Sequence, residues 1–326
     1  MSAARDNDSG EPGGDRIPPK DHHAGFVVLA GRPNVGKSTL LNRLLGEKVA
    51  IVSRRPQTTR TRILGVYHDE GAQIAFLDTP GIHVPRSPLN KHMVSVALGA
   101  IEEVDVCLLV TDVGFTSRKT KKDRPSIHSG DVEIIRRIAR TRRPAALLLN
   151  KIDAIPREKL LPIIDAYREL HDWAFIYPLS ALTGEGVEGL GRSIAPLLPA
   201  SPPLFPYDVL TDQAERILAA EYVREQVFNF THAEVPYGVA IEVRQFDETE
   251  RESGGEGLIR INADIIVDQD SHKGIIIGNR GSMLRRIGRA ARKDLERLLG
   301  AKVWLGLHVR VEKGWTKRPR AISSFE

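Results

Sequence analysis

Short apolar runs recur through residues 24–198: Phe26–Ala30, Thr61–Tyr67, Gln73–Leu77, Val104–Val110, Ala145–Leu149 and Phe175–Leu179. Runs this short and this continuously apolar fit strands covered on both faces. Asp69–Gly71 predicts a turn between the second and third. Helical patterns lie between the runs, over Lys37–Leu45 (ended by Gly46), Asp131–Thr141, Arg157–Leu170 and Val187–Leu197. Strands alternating with helices predict an α/β domain over 24–198, with a mainly parallel sheet and helices on both faces. Pro178 makes the sixth strand short or peripheral.

Leu198–Tyr207 (LPASPPLFPY) interrupts this pattern with four prolines in ten residues. That composition makes a stiff connector, placed at 199–207. The block after it, 208–326, has another rhythm. A helix is predicted over Asp212–Asn229, and strands over Val239–Phe246 and Gly257–Val267 around the acidic, Gly-rich loop Asp247–Gly255. Then come the short apolar turn His272–Ile277, a pair of glycines, a basic helix to Leu299 and a strand over Lys302–Val311. Residues 1–23 are polar and lack the apolar core of a signal peptide, so a disordered leader is expected there.

Composition narrows the class. A single cysteine, Cys107, excludes a disulfide scaffold and a Cys-rich metal site. No apolar run approaches the ~18 residues of a membrane span. The charge is unevenly spread: residues 201–270 carry 5 basic and 15 acidic side chains, whereas 271–326 carry 14 basic and 4 acidic. A tail that basic suits an anionic partner, nucleic acid or a membrane surface, or a solvated helix face balanced by the acidic stretch. The basic run Thr116–Arg124 is read as a surface insertion, with an RNA-contacting loop as the alternative.

The chemistry begins at Gly31-Arg32-Pro33-Asn34-Val35-Gly36-Lys37-Ser38, followed by Thr39. It matches G-x-x-x-x-G-K-[ST] between a predicted strand and a predicted helix, the context a phosphate loop requires. Its glycines let backbone N–H groups approach phosphate oxygens, and the helix N-terminus adds donors and positive potential. Lys37 would neutralise β- and γ-phosphates, and Ser38 would offer a hydroxyl to Mg²⁺. Asp78, in Asp78-Thr79-Pro80-Gly81, stands at a strand end as the Mg²⁺-side carboxylate, with the Gly81 N–H toward the γ-phosphate. In Gln57-Thr58-Thr59-Arg60, Thr59 is favoured over Thr58 to complete the Mg²⁺ shell and leave when the γ-phosphate is lost. In Asn150-Lys151-Ile152-Asp153, the Asp153 carboxylate accepts from guanine N1–H and the 2-amino group, which adenine cannot match. Asn150 and the stem of Lys151 brace the base. In Ser180-Ala181-Leu182, the Ala181 N–H is expected to donate to guanine O6.

These elements, GRPNVGKS, QTTR, DTPG, NKID and SAL in this order, resemble the five signatures of translation-factor-related small GTPases. With the C-terminal block, they resemble the bacterial Era GTPase family over 24–326. One departure from Ras-like enzymes is Ile82 where those place a water-orienting Gln. Either another group positions the water or hydrolysis is slow without a partner. Asn34 is shared with relatives that use K⁺, so potassium dependence is a hypothesis beside the Mg²⁺ requirement.

The order α-β-β-α-α-β of the second block fits an α+β type II KH domain. Within it, Gly278-Asn279-Arg280-Gly281, preceded by Lys273, supplies a G-x-x-G loop that can meet a single-stranded backbone closely. Arg285, Arg289, Arg292 and Lys293 share one helix face, and Lys317, Arg318 and Trp315 follow in the tail. Trp315 either stacks on an unpaired base or packs on the last helix. Ser282 is expected to cap the basic helix.

The resemblance implies a cytoplasmic, monomeric GTPase switch that cycles between GTP and GDP and binds the 3′ end of 16S rRNA. It implies a role in 30S ribosomal subunit maturation, with peripheral association at an anionic membrane surface. The competing readings are a membrane-associated GTPase and an RNA-binding module with a structural nucleotide.

Overall fold

The computed structural model describes residues 21–53, 55, 57–69, 71–116, 125–252 and 257–325. The expected leader up to residue 20, and the basic run from residue 117 to 124, lie outside them.

The first sheet has six strands in the order β2-β3-β1-β4-β5-β6. These are β1 (His23–Ala30), β2 (Ile63–Asp69), β3 (Ala72–Asp78), β4 (Val106–Asp112), β5 (Ala145–Asn150) and β6 (Ile176–Pro178). Only β2 runs antiparallel, paired to β3 through the tight turn at Gly71. In register, Leu29 of β1 lies beside Asp78 of β3, so the phosphate-loop strand and the carboxylate strand end together. Helices α1 (Lys37–Leu45), α2 (Pro88–Glu103), α3 (Val113–Thr116), α4 (Ser129–Thr141) and α5 (Leu160–Arg168) lie between these strands in the chain, and α6 (Leu190–Ile194) follows β6. They cover both faces of the sheet over two separate apolar clusters. Cys107 lies buried in one of them, where burial pushes its thiol up to about 12, far from a reactive range.

Three differences from the sequence expectation have physical causes. β1 begins at His23, inside the segment expected as leader, because the His23 N–H bonds Gly71 O and the His22 ring bonds Ser201 O. Helix α2 was not predicted. Its signals were present: Ser87 accepts from the Asn90 N–H at 3.1 Å, Pro88 starts the first turn, and Leu89, Met93, Ala97, Ala100 and Ile101 are buried. The proline-rich connector is fastened to the first sheet. Buried Gln73 accepts from the Leu204 and Phe205 N–H groups, and the Phe205 ring meets Phe26 edge-on.

The second half carries α7 (Glu215–Phe230), β7 (Val239–Asp247), α8 (Thr249–Glu252), β8 (Leu258–Val267), α9 (Asp270–Ile277), α10 (Ser282–Leu299), β9 (Lys302–Val311) and α11 (Pro319–Phe325). β7 pairs antiparallel with β8, and β8 pairs parallel with β9. Helices α7 and α10 pack on this sheet through Val223, Val227, Ile287, Ala291 and Leu295. The expected order therefore holds, with α8 and α11 added. Among the described residues no helix is long and apolar enough to cross a membrane.

The two halves meet through a smaller apolar cluster: Leu89 and Met93 of α2 against Ala240, Ile266, Trp315 and Ile322. Trp315 is fully buried there. Its Nε1–H donates to Gly238 O at 3.0 Å, and Phe325 of α11 packs edge-on against its ring. The stacking role on a base is corrected: the indole is a core group between the halves. Trp315→Ala should lower unfolding free energy by about 3 kcal/mol, the usual cost of emptying a large aromatic site. Denaturant unfolding followed on the C-terminal half measures this, and a loss below about 1 kcal/mol would contradict a core role.

Candidate active site and nucleic-acid interface

The loop after β1 turns on two glycines whose side-chain space is already taken. A Cβ on Gly31 would lie 2.4 Å from Val110 O, and one on Gly36 would lie 2.3 Å from Asn150 Nδ2. Gly36, at φ 102°, also caps α1, whose first N–H groups face the loop. Lys37 is buried, and its Nζ folds back to donate to Gly31 O at 3.2 Å and Arg32 O at 3.1 Å. Burial lowers its pKa to about 8, against the opposing pull of Asp78. An ammonium held this way meets a phosphate by exchanging two neutral acceptors for charged ones.

Asp78 is fully buried at the end of β3. Its Oδ2 accepts from Ser38 Oγ at 2.5 Å and Thr59 Oγ1 at 3.4 Å, and those two hydroxyls are 3.0 Å apart. Its Oδ1 has no hydrogen-bond partner among the described residues. Burial raises its pKa, opposed by Lys37 and the two hydroxyls. A buried orphan carboxylate oxygen beside two hydroxyls is an all-oxygen donor set, and it fits Mg²⁺. Among the described residues no group of three His, Cys, Asp or Glu makes another metal site. Thr58 turns away and donates to Arg55 O at 3.0 Å, so Thr59 alone of the two reaches this cluster. Gly81 packs against the loop, where a Cβ would lie 2.5 Å from Pro33 N.

A cavity of about 730 Å³ opens beside the loop, lined by Asn34, Gly36, Thr39, Asn150, Lys151 and Asp153 among others. Asn150 ties its walls together: Nδ2 donates to Val35 O at 2.7 Å, and Oδ1 accepts from the Lys151 and Ala181 N–H groups. The Ala181 N–H, expected for guanine O6, is therefore already engaged by Asn150. Lys151 stretches to Asn34 O and Asp112 Oδ2, both at 2.7 Å, flattening its stem along the cavity. The Asp153 carboxylate is held by Ser180 Oγ at 2.6 Å. Leu182 is exposed, and its carbonyl is fixed by Arg43 Nη2 at 2.5 Å. Arg32 sends its guanidinium to Asp131 at 2.7 Å, and Val35 buries its side chain in the core, so each offers the loop only its backbone.

Residues from the second half, which the motifs do not reveal, complete the site. The segment leading to Thr59 is held by α7: Glu225 takes Lys48 Nζ on one oxygen and the Val52 N–H at 2.8 Å on the other, while Tyr222 donates to Lys48 O. At its far end Arg60 is buried and donates to Val239 O at 2.8 Å and Tyr237 O at 3.0 Å, with its guanidinium 5.7 Å from the Trp315 ring centre. Phe228 and Asn229 of α7 also line the base cavity. These pairs are separated by more than a hundred residues, which is why no local pattern announces them.

In the second half, the glycine loop follows α9. Gly278 and Gly281 have φ of 69° and 76°, and Arg280 between them is left-handed at 48°. Asn279 and Arg280 are exposed, and Lys273 is half-buried. Gly281 itself occupies the N-cap of α10 with no side-chain cap, correcting the role expected of Ser282. One stripe of α10 is buried (Ile287, Ala291, Leu295, Leu299), while Arg285, Arg289, Arg292 and Lys293 are exposed. Arg285 reaches back to Arg280 O at 2.8 Å, joining loop and helix into one basic surface. Arg286 leaves that surface to lie 4.2 Å over Phe230. Lys317 and Arg318 are exposed further along, Arg318 paired with Glu312 at 2.6 Å.

Comparison with known proteins identifies the domains that carry these two regions. A family model described as a 50S ribosome-binding GTPase matches residues 26–151, and a KH domain model matches 234–316. The GTPase Era of Syntrophus aciditrophicus is 47% identical over 302 residues, 93% of this chain and 94% of that one. The GTPase Era of Geobacter metallireducens is 49% identical over 302 residues, 93% and 97% of the two chains. Among solved structures, Era in complex with MgGDPNP and nucleotides 1506–1542 of 16S ribosomal RNA matches with a TM-score of 0.85 at 40% identity, over 93% of this chain and 98% of that one. An Aquifex aeolicus Era variant bound to GDP and AlF4⁻ matches with a TM-score of 0.83 over the same shares. A phosphate loop, a guanine-type cavity and a glycine-loop domain, joined in one chain at this identity and coverage, place the protein in the Era GTPase family.

Proposed function

We propose that this chain is a Mg²⁺-dependent GTP switch whose KH domain binds the 3′ end of 16S rRNA during 30S subunit assembly. One observation carries the reading: the segment that brings Thr59 to Ser38 and Asp78 is bonded at both ends to the second half. The Era relative crystallised with a magnesium-bound GTP analogue and a 16S rRNA segment supports both ligands. The partition is a nucleotide domain over 24–198, a connector over 199–207 and the KH domain over 208–326.

Bound at Ser38, Thr59 and Asp78, Mg²⁺ would offset charge on the β- and γ-phosphate oxygens. The chain's own residues do the rest. Lys37 exchanges the Gly31 and Arg32 carbonyls for phosphate oxygens. The loop amides and the α1 N-terminus cradle the phosphates. Asp153 reads the guanine edge, and Lys151 and Asn150 hold the base plane. Loss of the γ-phosphate removes the ligand that keeps Thr59 in place, and Glu225 and Arg60 carry that release to the KH domain. The exposed basic surface from Arg280 through Lys293 meets the RNA backbone. Asn34 makes K⁺ the monovalent cation of choice, with hydrolysis faster in K⁺ than in Na⁺.

Calorimetry in Mg²⁺ should show GDP and a GTP analogue binding and ATP failing to bind. Asp153→Asn should weaken GDP about 100-fold, the worth of two charge-assisted hydrogen bonds, and gain affinity for xanthosine diphosphate. Heat from ATP equal to that from GTP would refute the guanine reading.

GDP affinity should be flat below pH 8 and fall above it, by up to about one decade per pH unit. The sign follows from Lys37. The empty loop holds it near 8, and bound phosphate raises it, so binding above pH 8 takes up a proton. Calorimetry in two buffers of different ionisation enthalpy measures that uptake.

The charge reversals Arg285→Glu and Arg289→Glu together should weaken 16S 3′-end RNA at least tenfold and reduce the salt slope by about 2. Glu225→Gln should leave RNA binding intact but make it equal in the GDP and GTP-analogue states. Unequal affinities in that variant, as large as in the parent, would remove Glu225 from the coupling path.

A further inference from the structure

Ile82 does not face the triphosphate. Its side chain is buried in the core beside Leu77 and Ala97, and its N–H is bound to Gly31 O at 3.0 Å. The position that supplies a water-orienting glutamine in Ras-like enzymes is thus turned inward. Another glutamine lies on the correct side. Gln57 lines the same small cavity, about 60 Å³, as Lys37, Ser38, Thr59 and Gly81.

Gln57 is held there by a specific network. Its Nε2 is 3.0 Å from His83 Nε2, and His83 Nδ1 is 2.8 Å from Gly81 O. A carbonyl can only accept, so Nδ1 carries the ring proton and Nε2 is the acceptor. Gln57 therefore presents its NH₂ to the ring. That leaves Oε1, which no described residue engages, for a further donor. The backbone at Gln57 is left-handed, φ 64°, a conformation a non-glycine residue keeps only when its surroundings fix it.

We propose that Gln57 orients the attacking water and that His83 is the residue positioning Gln57. The inference rests on the GTP-hydrolysis reading above. Oε1 accepts one water hydrogen and turns a water lone pair toward the γ-phosphorus. The water oxygen forms the new P–O bond as the bond from the γ-phosphorus to the β–γ bridging oxygen breaks. GDP leaves with that electron pair. The proton goes to a phosphate oxygen, because a glutamine amide is not a base. His83 touches Gln57 and Gly81 but not the water. Because Gln57 and Thr59 lie two residues apart on one loop, the water is oriented only when that loop is closed on the γ-phosphate.

The test is single-turnover GTP hydrolysis by the full chain carrying Gln57→Ala, His83→Ala or His83→Gln, beside affinities for a non-hydrolysable GTP analogue and for GDP with AlF4⁻. Gln57→Ala should slow hydrolysis about 100-fold, as loss of one transition-state hydrogen-bonding group does. It should weaken GDP–AlF4⁻ in parallel and leave the GTP analogue within threefold. His83→Ala should slow hydrolysis about tenfold, and His83→Gln, which restores an acceptor toward Gln57, should recover most of it. Hydrolysis by Gln57→Ala within threefold of the parent overturns the proposal. So does loss of analogue binding as large as the loss of rate, which would make Gln57 a binding or folding residue. If the parent itself binds no GTP analogue, it is the nucleotide reading that fails.

Discussion

Two opposite charges, Lys37 at the start of α1 and Asp78 at the end of β3, are buried beside the loop that follows β1, and the rest of the nucleotide half is arranged around them. Each is desolvated, and burial works against the charged form of both. Neither has enough partners among the described residues: Lys37 rests on two carbonyls, and one Asp78 oxygen is orphaned. Such a pair is weak support for folding and strong support for binding. What it lacks is anionic oxygen on one side and a cation on the other, and a magnesium-bound triphosphate supplies both. The parallel sheet brings the two strand ends together. Gly31 and Gly36 let the loop close over Lys37 with no side chain in the way. The two apolar clusters that cover the sheet keep the frame rigid enough for the pair to stay buried.

The second constraint is mechanical. The segment from Lys48 to Arg60 belongs to the nucleotide half by sequence, yet each of its ends is bonded to the KH half: Lys48 and Val52 to Glu225, Arg60 to Val239 and Tyr237. A loop fixed at both ends cannot move Thr59 without disturbing one anchor. Phe228 and Asn229 also form part of the wall of the cavity of about 730 Å³, so both halves of the chain line it, and the switch proposed above would link the pose of the KH half to nucleotide affinity through that wall. The apolar contact through Trp315, Leu89 and Met93 gives the pose a defined resting position.

Sequence patterns revealed what is local. The phosphate loop, Asp78, Asn150, Asp153 and Ser180 all sit where strands end, because strand and loop signals adjoin in the chain. Long-range partners carried no such signal. Gln73 reads as an ordinary strand position, and only the folded chain shows it holding Leu204 and Phe205. Trp315 among basic residues had two readings, and the contact that decides it, with Gly238 O, is 77 positions away. Helix α2 has its cap and its apolar period, but it follows the irregular stretch after Gly81, and no strand signal on its N-terminal side frames it. The Ala181 amide looks free for a base atom in the sequence, which cannot show that Asn150 Oδ1, 31 positions away, reaches it first.

The two glycines of the glycine loop differ in what surrounds them. A Cβ on Gly278 would lie 2.7 Å from Met283 Cβ and 2.8 Å from its backbone nitrogen, so this glycine is required by the turn into α10. Gly281 has nothing within 4 Å of that position, so the space over it is open to a ligand backbone. Charge divides in the same way. On the sheet, Arg244 and Arg310 are matched by Glu242 and Asp264, which accounts for part of the acidic stretch. On α10, no acid among the described residues lies within ion-pair distance of Arg285, Arg289 or Lys293. The acidic residues of the sheet pair with its arginines and leave the helix beside Gly281 positive, so that of the two glycines in the loop the open one lies where positive potential is concentrated.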